Sequence, residues 1–141
     1  MKYLLDTSTL SLPLAPVPNL NARRRINAHA PQCVIAAPVW HEVLRGCMRL
    51  PTSARRTEIE GYLYGFVKVH LPILPYDERA AEWHAAERVR LSAIGMSPPF
   101  IDGQIASIAA ANGLILVTAN TKDFESFDGI HVEDWTKRSR R

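Results

Sequence analysis

The sequence predicts an α/β fold: a single domain with a central parallel sheet of four to five strands, flanked by helices on both faces. Short apolar runs of strand type alternate with amphipathic stretches of helical period along the 141 residues. The connections between these stretches are short, and no repeat, low-complexity tract or long linker divides the chain. Such alternation is typical of parallel strands joined by right-handed helical crossovers.

The first half of the chain contains two strand-like runs and three main helical stretches. Their expected bounds are a strand at 3–5, a helix from 19 or 21 to about 29, a strand at 33–36, a helix at 39–45 and a helix from 54 to about 69. Pro38 suits the first turn of a helix, Gly46 is expected to end that helix, and Ser53 is an N-cap residue. A short helical turn is expected within residues 8–14, and Pro13, Pro16 and Pro18 then impose an irregular segment.

The second half continues the alternation. Its expected elements are an edge strand at 71–75, a long helix after Asp77 that ends at Gly95, a helix from 101 to 112 closed by Gly113, a strand at 114–117 and a short strand at 130–132. We therefore expect one domain over residues 1–135, followed by a basic tail at 136–141.

Composition limits the class of protein. Apolar residues make up 47% and charged residues 22%, which excludes a mainly disordered chain. No apolar run approaches the roughly 20 residues that span a bilayer, so we expect a cytoplasmic protein with no membrane partner. Cys33 and Cys47 match no zinc or CxxC spacing and are expected to be reduced and buried. Basic clusters at 23–25, 55–56 and 137–141 suit a polyanion such as RNA, or simply form solvated surface.

Polar side chains occur where predicted strands end or the following helices begin. They are Asp6 after the first strand, Glu42 early in a helix after the second, Asp102 in the first turn of a helix, and Asn120 to Asp123 after the fourth strand. The carboxyl ends of parallel strands share one edge of a sheet, so these groups are expected to converge there. The helix dipole at Asp102 favours an ionised carboxylate, and Thr7 is expected to support Asp6 through its backbone or hydroxyl.

Several carboxylates in one pocket repel one another unless a cation joins them or some take up protons. No histidine or cysteine ligand is evident nearby, so a hard cation bound by oxygen atoms is expected. This cation is Mg²⁺, and Mn²⁺ could substitute for it. Such an ion lowers the pKa of bound water and stabilises a leaving oxygen. The predicted chemistry is metal-assisted hydrolysis of a phosphodiester.

The same residues carry a family resemblance. Four segments are similar, in order and spacing, to PIN-domain ribonucleases, and more narrowly to VapC-type toxins of bacterial toxin–antitoxin pairs. They are Leu-Leu-Asp6-Thr7, Trp-His-Glu42-Val-Leu-Arg-Gly, Pro-Pro-Phe-Ile-Asp102, and Leu-Val-Thr118-Ala-Asn-Thr-Lys-Asp123-Phe, which is followed by Val-Glu-Asp-Trp. The resemblance implies a Mg²⁺-dependent endoribonuclease toxin that acts on RNA, assembles as a homodimer and is neutralised by a cognate antitoxin.

For individual residues, the resemblance implies that Asp6, Glu42 and Asp102 form the catalytic metal site and that Thr118 orients it. Many family members carry a fourth acid two residues after that threonine, where this chain has Asn120. Asp123 is the nearby acid, and it either completes the site or caps its own turn. Where the family often has asparagine, this chain has Ser8, whose hydroxyl could hold a metal-bound water. Contacts to RNA are not assigned by the sequence.

Two other classes of protein share some of these features. Asp-nucleophile phosphatases also begin with a strand that ends in an acid, but their chemistry commonly requires a second acid two residues later, where this chain has Ser8. A catalytically degenerate PIN-like module that binds RNA or protein is the alternative that Asn120 suggests. Metal binding would separate that module from a nuclease.

Overall fold

The computed structural model describes residues 1–137, so most of the predicted tail at 136–141 lies outside the described residues. The five strands are β1 (Tyr3–Leu5), β2 (Cys33–Ala36), β3 (Ile73–Leu74), β4 (Ile115–Val117) and β5 (His131–Glu133). The α-helices are α1 (Thr7–Leu10), α2 (Leu20–His29), α3 (Ala37–Met48), α4 (Ala54–Tyr62), α5 (Lys68–His70), α6 (Glu78–Ala93) and α7 (Phe100–Ala111). Short 3₁₀ turns cover Leu12–Leu14, Ala30–Gln32 and Thr121–Phe124, and a π-helical stretch, Leu63–Val67, joins α4 to α5.

The strands form one parallel sheet in the order β3-β2-β1-β4-β5. β1 lies at the centre, where Leu4 pairs with Val34 of β2 and with Leu116 of β4. Every residue of β1 and β2 is buried, which requires cover on both faces of the sheet. This confirms the predicted fold class, and it confirms β3 as an edge strand.

The predicted N-caps are present. The side chains of Asn19, Ser53 and Asp77 each accept a hydrogen bond from a backbone N–H three residues later. The expectation that Gly46 ends α3 is wrong, because the helix continues to Met48. Val39, Val43 and Cys47 bury one face of α3 at a spacing of four residues, and the packing of Cys47 outweighs the low helix propensity of glycine.

The core lies between the sheet and its helices. Its largest fully buried side chains include Leu4, Leu5, Ile35, Ile108 and Leu116. Both cysteines are free and buried, as predicted, and burial raises the pKa of the Cys33 thiol to about 12. Between residues 1 and 137, none of the helices has the length and apolar character needed to cross a membrane.

Candidate active site

The carboxyl ends of β1 and β4 open into a pocket at the edge predicted for it. The pocket has a volume of about 310 Å³. Its lining residues are Asp6, Thr7, Ser8, Glu42, Pro99, Ile101, Asp102, Ile105, Asn120, Asp123 and Phe124. Three helices and two strand ends therefore bring together all the acidic residues predicted from the sequence. We call this cavity the acidic pocket.

Asp6 is the most firmly held of these acids. It is only 6% exposed, and its Oδ1 accepts hydrogen bonds from Ser8 Oγ (2.6 Å) and from the backbone N–H of Thr9 (3.1 Å). Its Oδ2 accepts from Thr118 Oγ1 at 2.6 Å. Asp6 also caps α1, and its own backbone N–H bonds to the carbonyl of Val117. Hydrogen bonds to both oxygens fix the orientation of the carboxylate.

Ser8 and Thr118 tie the loop after β1 to the loop after β4. Ser8 Oγ accepts the backbone N–H of Ala119 (3.0 Å), and Thr118 Oγ1 accepts that of Asn120 (3.0 Å). Thr118 is fully buried. The sequence suggested that Ser8 holds a metal-bound water. In the structure its hydroxyl donates to Asp6 and accepts from the loop after β4, and the role toward a bound water stays a prediction.

Glu42 reaches the acidic pocket from the second turn of α3, with 33% of its side chain exposed. Its Oε1 lies 3.9 Å from Nδ1 of His41, which is too long for a hydrogen bond. The imidazole of His41 is 69% exposed. Glu42 is thus available to a ligand in the pocket, and its neighbour points mainly to solvent.

Asp102 lies in the first turn of α7 and is partly buried. Burial raises the pKa of its carboxyl, and the negative charges of Asp123 and Asp6 raise it further. The sequence predicted that the helix dipole would favour the ionised form. In the structure, desolvation and like charge outweigh the dipole. Two further carboxylates thus lie near enough to Asp102 to oppose its ionisation.

Asn120 and Asp123 both line the acidic pocket. The Asp123 carboxylate makes no hydrogen bond with any residue in the described part of the chain, and the 3₁₀ turn that contains it has no side-chain cap. Asp123 therefore does not cap its own turn. Its carboxylate is free, and it acts on Asp102 through charge.

Comparison with known proteins identifies the family of this arrangement. The PIN domain family matches residues 3–130. The chain belongs to the PIN domain family. This PIN domain is 30% identical to a protein named tRNA(fMet)-specific endonuclease VapC from Salmonella typhimurium, over 96% of this chain and 98% of that protein.

Two solved structures show how closely the fold of this PIN domain is shared. One is DNA-bound VapBC from Salmonella typhimurium, with a TM-score of 0.83 and 30% identity, covering 96% of this chain and 98% of that one. The other is FitAcB from Neisseria gonorrhoeae, with a TM-score of 0.86 and 26% identity, covering 94% and 97% of the two chains. Both matches extend over nearly the whole length of the chains.

PIN-domain nucleases of this kind generally depend on a divalent metal. The donors that line the acidic pocket of this PIN domain are carboxylate, amide and hydroxyl oxygens, which suit a hard cation. Among residues 1–137, however, no three carboxylate, imidazole or thiol groups already lie close enough to hold a metal together. The residues fit the ion by their chemistry and by the unneutralised charge around Asp102.

Sequence reasoning missed what lies behind Asp102. A Cβ atom on Gly103, the next residue, would lie 2.2 Å from Nε2 of His84 on α6. His84 is 2% exposed, its Nδ1 lies 2.9 Å from the hydroxyl of Tyr76, and its ring contacts Phe100 at 4.8 Å. These contacts fix the beginning of α7, which carries Asp102. The sequence did contain one indication of this contact. Gly103 follows Asp102 inside a predicted helix, and a glycine at such a position suggests that another group packs closely against it.

Proposed function

We propose that this PIN domain is a Mg²⁺-dependent endoribonuclease toxin of a type II toxin–antitoxin pair, which hydrolyses phosphodiester bonds in RNA. The observation that carries the proposal is the convergence of Asp6, Glu42 and Asp102 from three separate elements on one pocket at the carboxyl edge of a parallel sheet. Asp123 adds a fourth carboxylate. A pocket of this charge favours a cation, and RNA is a substrate that such a cation activates.

In this mechanism Asp6, Glu42 and Asp102 would hold Mg²⁺, and Mn²⁺ would be accepted in its place. When bound, the ion would lower the pKa of a coordinated water and stabilise charge at the phosphate. Ser8, Thr118 and the N–H of Thr9 fix the direction of the Asp6 oxygens. Asp123, or Asn120 through its amide oxygen, completes the donor set. Thr7, at the start of α1, contributes to the wall beside Asp6 and Glu42.

Partners belong to the same proposal. The Salmonella relative is named as a tRNA endonuclease, and the two solved relatives are named VapBC and FitAcB. We infer that RNA is the substrate here, that a cognate antitoxin neutralises the toxin, and that the chain forms a homodimer in the cytoplasm. Light scattering of the purified chain, alone and with the product of the adjacent gene, tests the two assemblies.

The direct test uses purified protein, total transfer RNA and Mg²⁺, with and without EDTA. We expect cleavage that EDTA abolishes. Asp6→Asn and Asp102→Asn should each reduce the rate by about 100-fold or more, because a ligand of the ion is lost. Asp128→Asn is the matched control, since Asp128 is 76% exposed and lies outside the pocket. Cleavage that persists in EDTA, or that is unchanged in Asp6→Asn, would contradict the proposal.

A second candidate is a catalytically degenerate module that binds RNA or protein. Two observations support this candidate. Asn120 lines the pocket where many relatives have an acid, and within residues 1–137 no three metal-binding side chains are already in place. Calorimetric titration with Mn²⁺ separates the two candidates. A nuclease should bind Mn²⁺ and lose that binding in Asp102→Ala. Wild-type protein that binds no Mn²⁺, even with RNA present, would support the module.

A further inference from the structure

The acidic pocket continues into a longer groove on one side. A second cavity of about 470 Å³ shares Pro99, Asp102 and Asp123 with it and adds Lys122 to the lining. A third cavity of about 620 Å³ shares residues 96–98 with the second. The three cavities therefore lie side by side, from the carboxylates, past the loop between α6 and α7, to the last turns of α6. We call this path the basic arm.

Within residues 1–137, two cations line the basic arm, and neither has an acidic partner there. Lys122 is exposed beside Asp123 but forms no ion pair with the described residues. Arg88 is exposed on α6, and its guanidinium lies 5.2 Å from the ring centroid of Phe100. By contrast, the nearby Arg90 is held by Glu87 and Asp128. Lys122 and Arg88 thus keep their charge available to a ligand in the groove.

The opposite side of the acidic pocket differs in character. There a cavity of about 250 Å³ shares Thr7 and Glu42 with the pocket. The rest of its lining is Ser11, Leu14, Val43, Gly46, Cys47, Ile59 and Leu63. Among residues 1–137, no lysine or arginine lines this cavity, and Arg55, which donates to the carbonyl of Leu14 at its edge, is paired with Glu58. Of the two directions that lead away from the carboxylates, the basic arm is the one whose described lining holds cations without an acidic partner.

We propose that the RNA strand leaves the acidic pocket along the basic arm, where Lys122 binds a phosphate close to the bond that is cut and Arg88 binds a phosphate further along the strand. The inference rests on the proposed function and adds to it the residues that bind the substrate. A pocket of carboxylates repels RNA before any metal is bound, so cations beside it are needed to draw the strand in. Contacts of this kind are made to the backbone and do not depend on base sequence.

The test compares Lys122→Gln and Arg88→Gln with two matched variants outside the basic arm. Lys68→Gln and Arg49→Gln remove an exposed lysine on α5 and an exposed arginine at the end of α3. The probe is a short fluorescein-labelled oligouridylate in EDTA, and the readout is fluorescence anisotropy over a series of salt concentrations. Each basic-arm variant should bind about fivefold more weakly, as expected for one lost charge-assisted contact. The slope of log K against log salt should fall by about 0.7 for each, whereas both controls should match wild type.

Charge-preserving variants sharpen the result. Lys122→Arg and Arg88→Lys should restore most of the affinity, because backbone contacts require charge more than a particular side chain. Equal binding by Lys122→Gln and wild type would overturn the inference, and so would a loss in Arg88→Gln that Arg88→Lys does not restore. If Arg88→Gln changes the oligomeric state but not the RNA affinity, the α6 end of the groove is a protein contact. That result would overturn the assignment of Arg88 to RNA binding. If wild type binds the probe but cleaves no RNA with Mg²⁺, the proposed function fails while the basic arm stands.

Discussion

The orientation of the Asp6 carboxylate depends on the hydroxyl of Thr118. It donates to Asp6 Oδ2 and accepts from the N–H of Asn120, and it is fully buried. Thr118→Val keeps the shape of the side chain but leaves both groups without this partner. We expect a loss of about 1–3 kcal/mol in the free energy of unfolding, and a lower cleavage rate. Urea unfolding and RNA cleavage measure the two effects, and Thr118→Ser, which retains the hydroxyl, should largely restore both.

Asp102 predicts a dependence of stability on pH. Burial, Asp123 and Asp6 raise the pKa of its carboxyl in the folded protein. Because the folded pKa lies above the unfolded one, folding is favoured while Asp102 is protonated, and this stabilisation is lost as pH rises through the folded pKa. Asp102→Asn should therefore raise the melting temperature in EDTA near neutral pH, and the increase should shrink as pH falls through the folded pKa and reach its smallest value below the ordinary range of aspartate. An increase that is the same at all pH values would contradict this account.

The sequence identified which acids meet, but it did not show how they are held. Asp6, Glu42 and Asp102 were predictable because each is close to the end of an apolar run or the start of a helix, and parallel strands bring such positions together. The role of Ser8 was not predictable, since its partners are an adjacent acid and a backbone N–H 111 residues away. Hydrogen bonds between distant loops leave no periodic signal in the sequence.

At the scale of elements, the contact between α6 and α7 sets the position of Asp102. Gly103 faces His84 so closely that any side chain would meet the imidazole. We expect Gly103→Ala to lower the free energy of unfolding by about 1–3 kcal/mol through overpacking, and to weaken Mn²⁺ binding by displacing the start of α7. Calorimetry and urea unfolding measure both. Gly46→Ala, in a helix with nothing within 4 Å, is the matched control and should stabilise by up to about 1 kcal/mol.

A compensating substitution tests the same contact. His84→Ala removes the ring that Gly103→Ala would strike, so the double variant should lose less stability than the sum of the two single losses. Additive losses would show that His84 and Gly103 do not act on each other.

The bounds of the helices show why such contacts escape sequence reasoning. The N-caps of α2, α4 and α6 were predictable because each cap bonds within three residues. The end of α3 was not, because the burial of Cys47 carries the helix past Gly46. Local signals fix where helices begin, whereas tertiary packing decides where this one ends.

At the scale of the whole molecule, the end of the described chain closes the fold against its beginning. Trp135 is 2% exposed, packs edge-on against Tyr3 of β1 at 4.9 Å and contacts His29. Trp135→Ala should cost about 3–5 kcal/mol of unfolding free energy, measured with urea, and Trp135→Phe should cost less. Truncation after residue 137 should leave the transition unchanged if the domain ends near residue 135, as the sequence predicts. A large loss on truncation would move that boundary.

The central place of β1 also decides when the site can exist during synthesis. The hydrogen bond from Thr118 to Asp6 joins residues 112 positions apart, and β1 needs β4 as a neighbour on one side. A ribosome that has not yet made β4 therefore carries a chain whose first acid has no Thr118 to orient it and no second loop to close the pocket. Nuclease activity of the kind proposed above would therefore require a chain made at least as far as Thr118. The ribosome that makes this protein thus carries no assembled acidic pocket until it has translated past β4.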